Sequence, residues 1–441
     1  MRRSYAALLL LFALLVPLLA ACGGGTAEAP EAATAPIETV EEPTATTEED
    51  MADATEEDMA ETSEEATPEA DVEATPEADT EATPEADAEA TPEAAEETTP
   101  EAATGTPVED PTSLRVGLVT DLGRVNDGTF NQFAHEGALQ AEEEFGFEYN
   151  YIETQAIADY ESNIQTLVDE QYDIIITVGF LIQDATLVAA QENPEITFIG
   201  VDQFYAGEDA APNLVGLQFR EDQAGFLAGA LAGMMTESGT VGVIAGVEIP
   251  PVMRFKHGFD NGARYVSPDI NLLGVYLPTF TDPALGASTA EQFVGEGADV
   301  VFGAGGPTGS GAIKAAAEQG AYVIGVDQDE YVTTFGGGES PGAENVLSSA
   351  IKRVDVAVSD QIRAFVEGTF EGNGIALYEA ANDGIGYADY HETADEVPEE
   401  VKQRMEEILQ MLSEESLTTG VDPVSGTLDE ATIPEPVPFE Q

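Results

Sequence analysis

An internal duplication constrains what this chain can fold into more than any other feature. Three apolar, β-branched segments recur in the same order at an almost constant offset, with helical patterns between them. The pairs are Val-Gly-Leu at 116–118 with Val-Gly-Val at 241–243, the Asp-Ile-Ile-Ile-Thr-Val-Gly run at 173–179 with Asp-Val-Val-Phe-Gly-Ala-Gly at 299–305, and Ile-Gly-Val-Asp-Gln at 199–203 with the same five residues at 324–328. Alternating strands and helices indicate βαβ units. The sequence therefore predicts two similar doubly wound lobes around a shared crevice.

A polar loop follows the first of these strands. Thr129 and Gln132 have the spacing of a capping box, which predicts that a helix begins there and leaves Asp121 and Asp127 in the loop. Ligands of open α/β sheets bind beyond the carboxyl ends of the strands, so this loop is a candidate binding element. Phe130 lies in the first turn of that helix, where it either joins the core or points into the crevice.

Other polar residues end predicted strands that would face the same crevice. Asp202 and Asp327 close equivalent strands of the two repeats. A single such aspartate is most often a helix cap or a turn residue, but the paired recurrence favours a crevice role. The glycine-rich loop at 303–309 would let backbone N–H groups approach a ligand, although it lacks the Gly-Lys-Ser/Thr of a phosphate loop. Lys352 also ends a predicted strand, as either a surface cation or a crevice residue.

The charge balance limits the partners. The chain has 86 acidic and 14 basic residues and a formal net charge of −72. Nucleic acid is excluded as a partner because phosphate binding needs a basic face. Three aspartates against Lys352 in the crevice favour a neutral ligand, since a phosphate would meet like charge there.

The first 22 residues have the features of a targeting segment. Arg2 and Arg3 precede an apolar run that ends in Leu-Ala-Ala-Cys, which resembles the lipobox of bacterial lipoproteins. Cys22 is then the lipidated residue that anchors the protein on the extracytoplasmic face of the cell membrane. A secretory signal with an incidental cysteine is the alternative. Because Cys22 is the single cysteine in the sequence, no thiol remains for a disulfide or a thiolate metal site.

Residues 23–112 have the composition of a disordered acidic tether. They contain 30 acidic residues and no Lys or Arg, and Ala-Thr-Pro-Glu-Ala recurs every eight residues from Ala66. Without aromatic residues and with unbroken negative charge, such a segment cannot bury enough surface to fold. As a flexible coil it would reach roughly 50 Å, which suits a spacer.

The region from Leu114 to Leu412 resembles a known family, the basic-membrane-protein type of ABC-transporter substrate-binding lipoprotein. The segments that carry the resemblance are Asp121 with Asp127-x-x-Phe130-Asn131-Gln132, Ile-Gly-Val-Asp202, Phe280-Thr-Asp282-Pro, Gly305-Gly306, Ile-Gly-Val-Asp327 and Ala-Ile-Lys352. The resemblance implies a type I periplasmic-binding-protein fold of two Rossmann-like lobes joined by three crossovers. The implied lobes are 114–219 with 352–370, and 220–351 with 371–412.

The resemblance also implies a ligand and a site. A purine is expected to stack between Phe130 and Phe280. Further residues of the first lobe are expected to contact it, namely Asp121, Asn131 and Asp202. Residues expected to hold ribose hydroxyls are Gly306, Asp327 and Lys352. The implied protein is a monomer that takes guanosine, inosine or adenosine, without cofactor or metal, to the permease and ATPase subunits of an importer. Sugar binding and ligand sensing are the alternatives on the same fold.

An enzyme is not expected. Gly338-Glu-Ser340-Pro341-Gly342 matches the G-x-S-x-G pattern of a nucleophile elbow, but Pro341 has no backbone N–H for the oxyanion hole. The three histidines are scattered along the chain, which gives no support to a metal site or a triad. Apolar residues at 401–412 have helical spacing and are expected to pack on a lobe. Residues 418–441, rich in Gly, Pro and acids, are expected to form a loose acidic tail.

Overall fold

A computed structural model describes residues 105–207 and 210–439, which form two α/β lobes. The predicted signal segment, Cys22 and the tether as far as residue 104 lie outside the described residues.

The described residues form twelve strands, which alternate with helices as the sequence predicts. The strands are β1 (Arg115–Leu122), β2 (Glu148–Thr154), β3 (Ile174–Val178), β4 (Thr197–Val201), β5 (Leu214–Phe219), β6 (Thr240–Ala245), β7 (Asn271–Tyr276), β8 (Val300–Ala304), β9 (Tyr322–Asp327), β10 (Val346–Lys352), β11 (Gly374–Tyr378) and β12 (Ile385–Tyr387). Strands β3, β4, β5 and β8 are buried along their whole length. Their near-continuous apolar sequences are typical of parallel strands covered by helices on both faces.

Nine α-helices occur in the described residues, and most of them follow a strand. They are α1 (Phe130–Phe145), α2 (Tyr160–Asp169), α3 (Gln183–Glu192), α4 (Glu221–Met235), α5 (Pro250–Val266), α6 (Pro283–Gly295), α7 (Gly306–Glu318), α8 (Val354–Glu367) and α9 (Glu399–Ser413).

The two sheets have the same strand order. The first is β2-β1-β3-β4-β5-β11 and the second is β7-β6-β8-β9-β10-β12. All pairs are parallel except β10 with β12. The repeated segments occupy equivalent strands, and the carboxyl ends of the strands in both sheets lie beside one crevice. The predicted type I fold is confirmed.

The chain crosses between the lobes three times, after β5, after β10 and after β11. The first two crossovers contain the same kind of ion pair: Arg220 pairs bidentately with Asp222, and Arg353 pairs bidentately with Asp355. The third crossover falls later than predicted. Strand β11 pairs with β5 of the first sheet, so placing residues 371–378 in the second lobe was wrong. The residues of this short edge strand alternate between partly buried and exposed positions, and such a pattern does not indicate which of the two sheets the strand joins.

Helices α4 and α5 pack closely, and α5 forms part of the crevice wall. A Cβ on Gly229 would lie 2.0 Å from the Phe259 carbonyl oxygen, and one on Gly262 would lie 2.0 Å from that of Phe226. Glycine at these positions lets the two helix backbones approach each other. The first turn of each helix is thereby fixed beside the carboxyl ends of the strands.

The C-terminal region is packed on the second lobe rather than loose. Helix α9 buries Val401, Met405, Ile408 and Leu412, as its periodicity predicts. Beyond it, the N–H groups of Val437 and Phe439 donate to carbonyls at the end of α5. The prediction of a loose tail from residue 418 was wrong for the part that the structure describes, because backbone groups bind this segment to α5 despite its acidic, proline-rich sequence.

The glycine contacts between α4 and α5 lead to a stability prediction. Gly229→Ala should lower the free energy of unfolding by roughly 1–3 kcal/mol, because the new Cβ overlaps a backbone atom that cannot move alone. Gly295→Ala is the matched control, since a Cβ added there, at the end of α6, would have no heavy atom of a neighbouring segment within 4 Å. Urea unfolding of both variants measures the difference. Equal midpoints would contradict the close packing.

Candidate functional site

A cavity of roughly 600 Å³, including its open mouth, lies between the lobes. Residues from the strand ends of both sheets and from the first turns of α1 and α5 line it. All eight residues predicted to bind a ligand are among them: Asp121, Phe130, Asn131, Asp202, Phe280, Gly306, Asp327 and Lys352. The structure thus brings the eight residues together, while their contacts with a ligand stay predictions.

The loop after β1 is organised by Asp127. Its carboxylate accepts hydrogen bonds from the backbone N–H groups of Thr129, Asn131 and Gln132, at 2.9–3.1 Å. The helix starts at Phe130 beside the predicted position, but the predicted capping box was wrong. Thr129 makes no side-chain cap, and Gln132 accepts from Gly128 instead. An acceptor at a helix N-terminus satisfies N–H groups that have no partner within the helix.

Asp121 and Asn131 are fixed by the same loop. The Asn131 side-chain oxygen accepts from the Asp121 N–H at 2.9 Å, and its amide nitrogen donates to Asp127 at 3.0 Å. The Asp121 carboxylate accepts from the Tyr160 hydroxyl and from the N–H of Leu122. Gly179, with φ +104°, leaves room for that carboxylate, because a Cβ there would lie 2.2 Å from Asp121 Oδ2. Both side chains are therefore held at the cavity wall by hydrogen bonds within the protein.

Asp202 and Asp327 adopt the same unusual backbone geometry at equivalent places in the two lobes. Their φ angles are +62° and +67°, in the left-handed region that aspartate tolerates better than most residues. Each follows or ends its strand and lines the cavity. Asp202 Oδ1 is buried without a hydrogen-bond partner, and Asp327 is 6% exposed at the cavity. Buried acceptors without donors are costly unless a ligand satisfies them.

Phenylalanine rings supply much of the apolar wall: Phe130, Phe180, Phe255 and Phe280 line the cavity, and the first and last of these were predicted. Phe130 comes from the first turn of α1, so the open question of its direction is answered in favour of the cavity. Phe280 lies in the loop before α6, and its ring rests against Gly246, where a Cβ would approach it to 2.3 Å. Glycine at 246 therefore makes room for the aromatic ring. The cavity thus has a phenylalanine wall from each lobe.

Lys352 lies at the centre of the charged groups. Its ammonium is 2.7 Å from Asp202 Oδ2 and 2.9 Å from Glu221 Oε1, and its side chain is 2% exposed. The ammonium also lies 4.9 Å from the ring centroids of both Phe130 and Phe219. An ammonium has three donors. One bonds Asp202, whereas Glu221 Oε1 pairs with the ammonium by charge, and Lys352 itself lines the cavity. Lys352 is thus a crevice residue rather than a surface cation.

Two charged residues of this centre were missed by sequence reasoning. Glu221 is wholly buried in the first turn of α4, and its second oxygen accepts from Arg254 Nε at 2.5 Å. Arg254, on α5, is equally buried. Glu221 follows Arg220 directly after a buried strand, a position of the same kind as Asp202, and that placement was the available signal. No comparable signal marked Arg254, because its helix has the sequence pattern of an ordinary amphipathic helix.

Burial and charge set the protonation of the site. Burial raises the pKa of Asp327 to about 7, although Lys352 opposes the change. Burial likewise raises the pKa of Asp202 and of Asp121 to about 6. The cations Arg254 and Lys352 outweigh the effect of burial at Glu221 and hold the pKa of its carboxyl below the ordinary value. Burial alone would lower the pKa of Lys352, but Asp202 and Glu221 raise it to about 12.

Hydrogen bonds across the crevice hold the lobes together at the cavity mouth. Gln328 Nε2 donates to the Thr129 carbonyl at 2.9 Å, and the Thr333 hydroxyl donates to the Gly128 carbonyl at 2.8 Å. Both donors follow β9 in the second lobe, and both acceptors belong to the loop that precedes α1. The described conformation is therefore one in which the lobes are closed on each other.

Residues weighed for other chemistry lie apart from the cavity. Ser340 is in a turn between β9 and β10 rather than at a strand-to-helix junction. The histidines have separate partners: His135 bonds Tyr149, His257 a carbonyl, and His391 Asp329. In residues 105–207 and 210–439, no group of three or more His, Cys, Asp or Glu side chains is arranged to hold a metal ion.

Two lobes with one strand order, three crossovers and a cavity lined from both sides define a solute-binding protein of the type I periplasmic class. Comparison with known proteins gives the family. Residues 114–418 match the family described as ABC transporter substrate-binding protein, PnrA-like, and the chain belongs to this family. The predicted family is confirmed.

Curated relatives cover the same region. The ABC transporter nucleoside-binding protein BmpA of Lactococcus lactis subsp. cremoris is 32% identical over 287 residues, which are 62% of this chain and 81% of the relative. Basic membrane protein A of Borreliella burgdorferi is 30% identical over 279 residues, covering 62% and 78%. A solved solute-binding protein of an ABC transporter from Aeropyrum pernix K1 has a TM-score of 0.60 and 28% identity, covering 69% of this chain and 92% of that one.

Within the part of the chain that the structure describes, no helix is both long enough and apolar enough to cross a bilayer.

The raised pKa of Asp327 predicts how stability depends on pH. Its folded-state pKa of about 7 exceeds the ordinary 3.8, so its contribution to stability is complete below about pH 4 and is lost as the pH rises through 7. Asp327→Asn abolishes this titration. Above pH 7 we expect the free energy of unfolding of the ligand-free variant to exceed that of the parent by on the order of 2 kcal/mol. This difference should shrink toward pH 4.

Chemical denaturation at several pH values measures this difference. Asp269→Asn is the control, because Asp269 is exposed on a turn and should show no such trend. A difference between Asp327→Asn and the parent that stays constant with pH would contradict the assignment.

Proposed function

We propose that this chain is a lipid-anchored, extracytoplasmic receptor that binds purine nucleosides between its lobes and delivers them to an ABC importer. The proposal rests on two buried strand-end carboxylates, Asp202 and Asp327, that line the cavity together with phenylalanine rings, and on Asp202 Oδ1, which has no hydrogen-bond donor within the protein. Carboxylates suit donors such as ribose hydroxyls and purine N–H groups, and aromatic rings suit a flat base. The name of the Lactococcus lactis relative, which states nucleoside binding, supports the same ligand class.

The charges in the cavity favour a neutral ligand. Asp121, Asp202 and Asp327 line it together with the cation Lys352, and Glu221 adds a further buried carboxylate that Arg254 offsets. The cation count is thus higher than the sequence suggested, but Arg254 lies behind the residues that line the cavity and the excess of carboxylates persists. A phosphate would meet like charge at short range. No catalytic role is proposed for any of these residues.

Titration calorimetry of the purified protein with guanosine, guanosine monophosphate and ribose tests the ligand. We expect guanosine to bind, the monophosphate to bind at least about tenfold more weakly because of like charge, and ribose to lose the stacking contribution. Asp327→Ala should abolish nucleoside binding, whereas the exposed control Asp269→Ala should not change it.

The alternatives have distinct outcomes. Ribose binding as tightly as guanosine would identify a sugar receptor instead. A preference for the monophosphate would overturn the charge argument. A gene for this protein without neighbouring permease and ATPase genes would favour ligand sensing over transport.

The anchor is tested separately at Cys22, which lies outside the described residues. The Leu-Ala-Ala-Cys sequence motivates the experiment. Cys22→Ser should block lipid labelling and either release the protein from membranes or leave its precursor uncleaved. Cell fractionation and labelling with a fatty-acid analogue measure both effects, and unchanged labelling would refute the anchor.

A further inference from the structure

The C-terminal strap, which we define as residues 418–439, is bound along the whole of α5. Side chains of the helix reach its carbonyls: Arg254 donates to Val424 at 2.8 Å and Asn261 donates to Thr419 at 2.8 Å. His257 contacts the Gly426 carbonyl at 2.6 Å. Gly426, with φ +74°, leaves space for this approach, since a Cβ there would lie 2.6 Å from the Pro250 carbonyl. The strap therefore lies on the helix whose first turn forms part of the cavity wall.

Arg254 connects the strap to the cavity charges. Its side chain is 1% exposed, with Nη1 on the Val424 carbonyl and Nε on Glu221 Oε2. The other oxygen of Glu221 lies 2.9 Å from the Lys352 ammonium. A continuous sequence of polar contacts thus runs from the strap through two buried side chains to the cation at the cavity.

The strap has a second contact at the same place. The Thr419 hydroxyl, which is buried, donates to Asp222 at 2.5 Å. Asp222 is adjacent to Glu221 in the first turn of α4. The strap therefore restrains both the helix that carries Glu221 and the arginine that neutralises it.

We propose that the strap and Arg254 act as positioning elements that set the location of the Lys352 ammonium in the ligand cavity. This inference rests on the proposed function for the identity of the ligand. With Arg254 present, its guanidinium neutralises Glu221, and the Lys352 ammonium is shared between Glu221 and Asp202. Without Arg254, Glu221 is a buried carboxylate with one cation, and Lys352 is drawn toward it and away from Asp202 and the ligand.

A double-mutant cycle tests whether Arg254 acts through Lys352. Calorimetry with guanosine should show binding at least about tenfold weaker for Arg254→Met and for Lys352→Met alone. In the Lys352→Met background, Arg254→Met should change affinity by less than about twofold, because its target is gone. Lys256→Met, on the same helix but paired with Asp260, is the control and should bind as the parent does. Independent, additive losses would overturn the proposal.

A milder pair of variants tests the strap if the arginine variant does not fold. Thr419→Val removes the hydroxyl that contacts Asp222, and Thr418→Val makes the same change at the exposed neighbour, whose hydroxyl bonds only Thr432 within the strap among the described residues. We expect weaker guanosine binding for Thr419→Val and parent affinity for Thr418→Val. Equal affinities would exclude a role for the strap.

A ligand-free measurement separates this inference from the proposed function. Lys352→Met should speed the hydrogen exchange of strap amides, because energetic coupling between the strap and Lys352 is reciprocal. The amides of Gly426 and Asp429, which donate hydrogen bonds within the strap, are suitable reporters. Lys314→Met, a control on α7, should not. If the parent binds no guanosine yet the exchange responds, the proposed ligand is wrong and the coupling stands. If guanosine binds but exchange is unchanged, the coupling is wrong.

Discussion

The ion pairs of Lys352 with Asp202 and Glu221 are the interaction on which the rest of the structure depends. Lys352 ends β10 at the second crossover, Asp202 follows β4 of the first sheet, and Glu221 begins the helix after the first crossover. One ammonium therefore joins both lobes and two of the three connections. Removing a partner from such a buried pair leaves a charge that water cannot reach, which typically costs about 3–5 kcal/mol. The lobe arrangement and the cavity charge thus share one cause.

Much of the fold and part of the site could be predicted from the sequence. The repeated segments identify equivalent strands, and parallel strands present their carboxyl ends at one edge of a sheet. Asp202 and Asp327 could therefore be assigned to one crevice from the sequence, and Lys352 could be assigned to it by the same argument. Phe280 could not be placed that way, because it lies in a loop and only its resemblance to a family motif indicated it.

The elements that were missed depend on contacts between distant segments. Glu221 and Arg254 meet because α4 and α5 pack through glycines, which no local pattern of charge or hydrophobicity reveals. The strap looks loose because composition describes side chains, whereas backbone carbonyls hold it to α5. Strand β11 was assigned to the wrong lobe since a five-residue edge strand carries too little pattern to specify its partner.

The identical pentapeptide at 199–203 and 324–328 has two different consequences. Gln203 donates to the Gly179 carbonyl within its own lobe at 2.9 Å, whereas Gln328 donates to Thr129 across the crevice. One copy therefore joins the ends of two neighbouring strands within a lobe, and the other joins the two lobes. The apparent affinity of a two-state receptor falls with the fraction of molecules in the competent form. We therefore expect a sequence change at Gln328 to shift the apparent affinity by weakening a contact between the lobes, although Gln328 does not line the cavity.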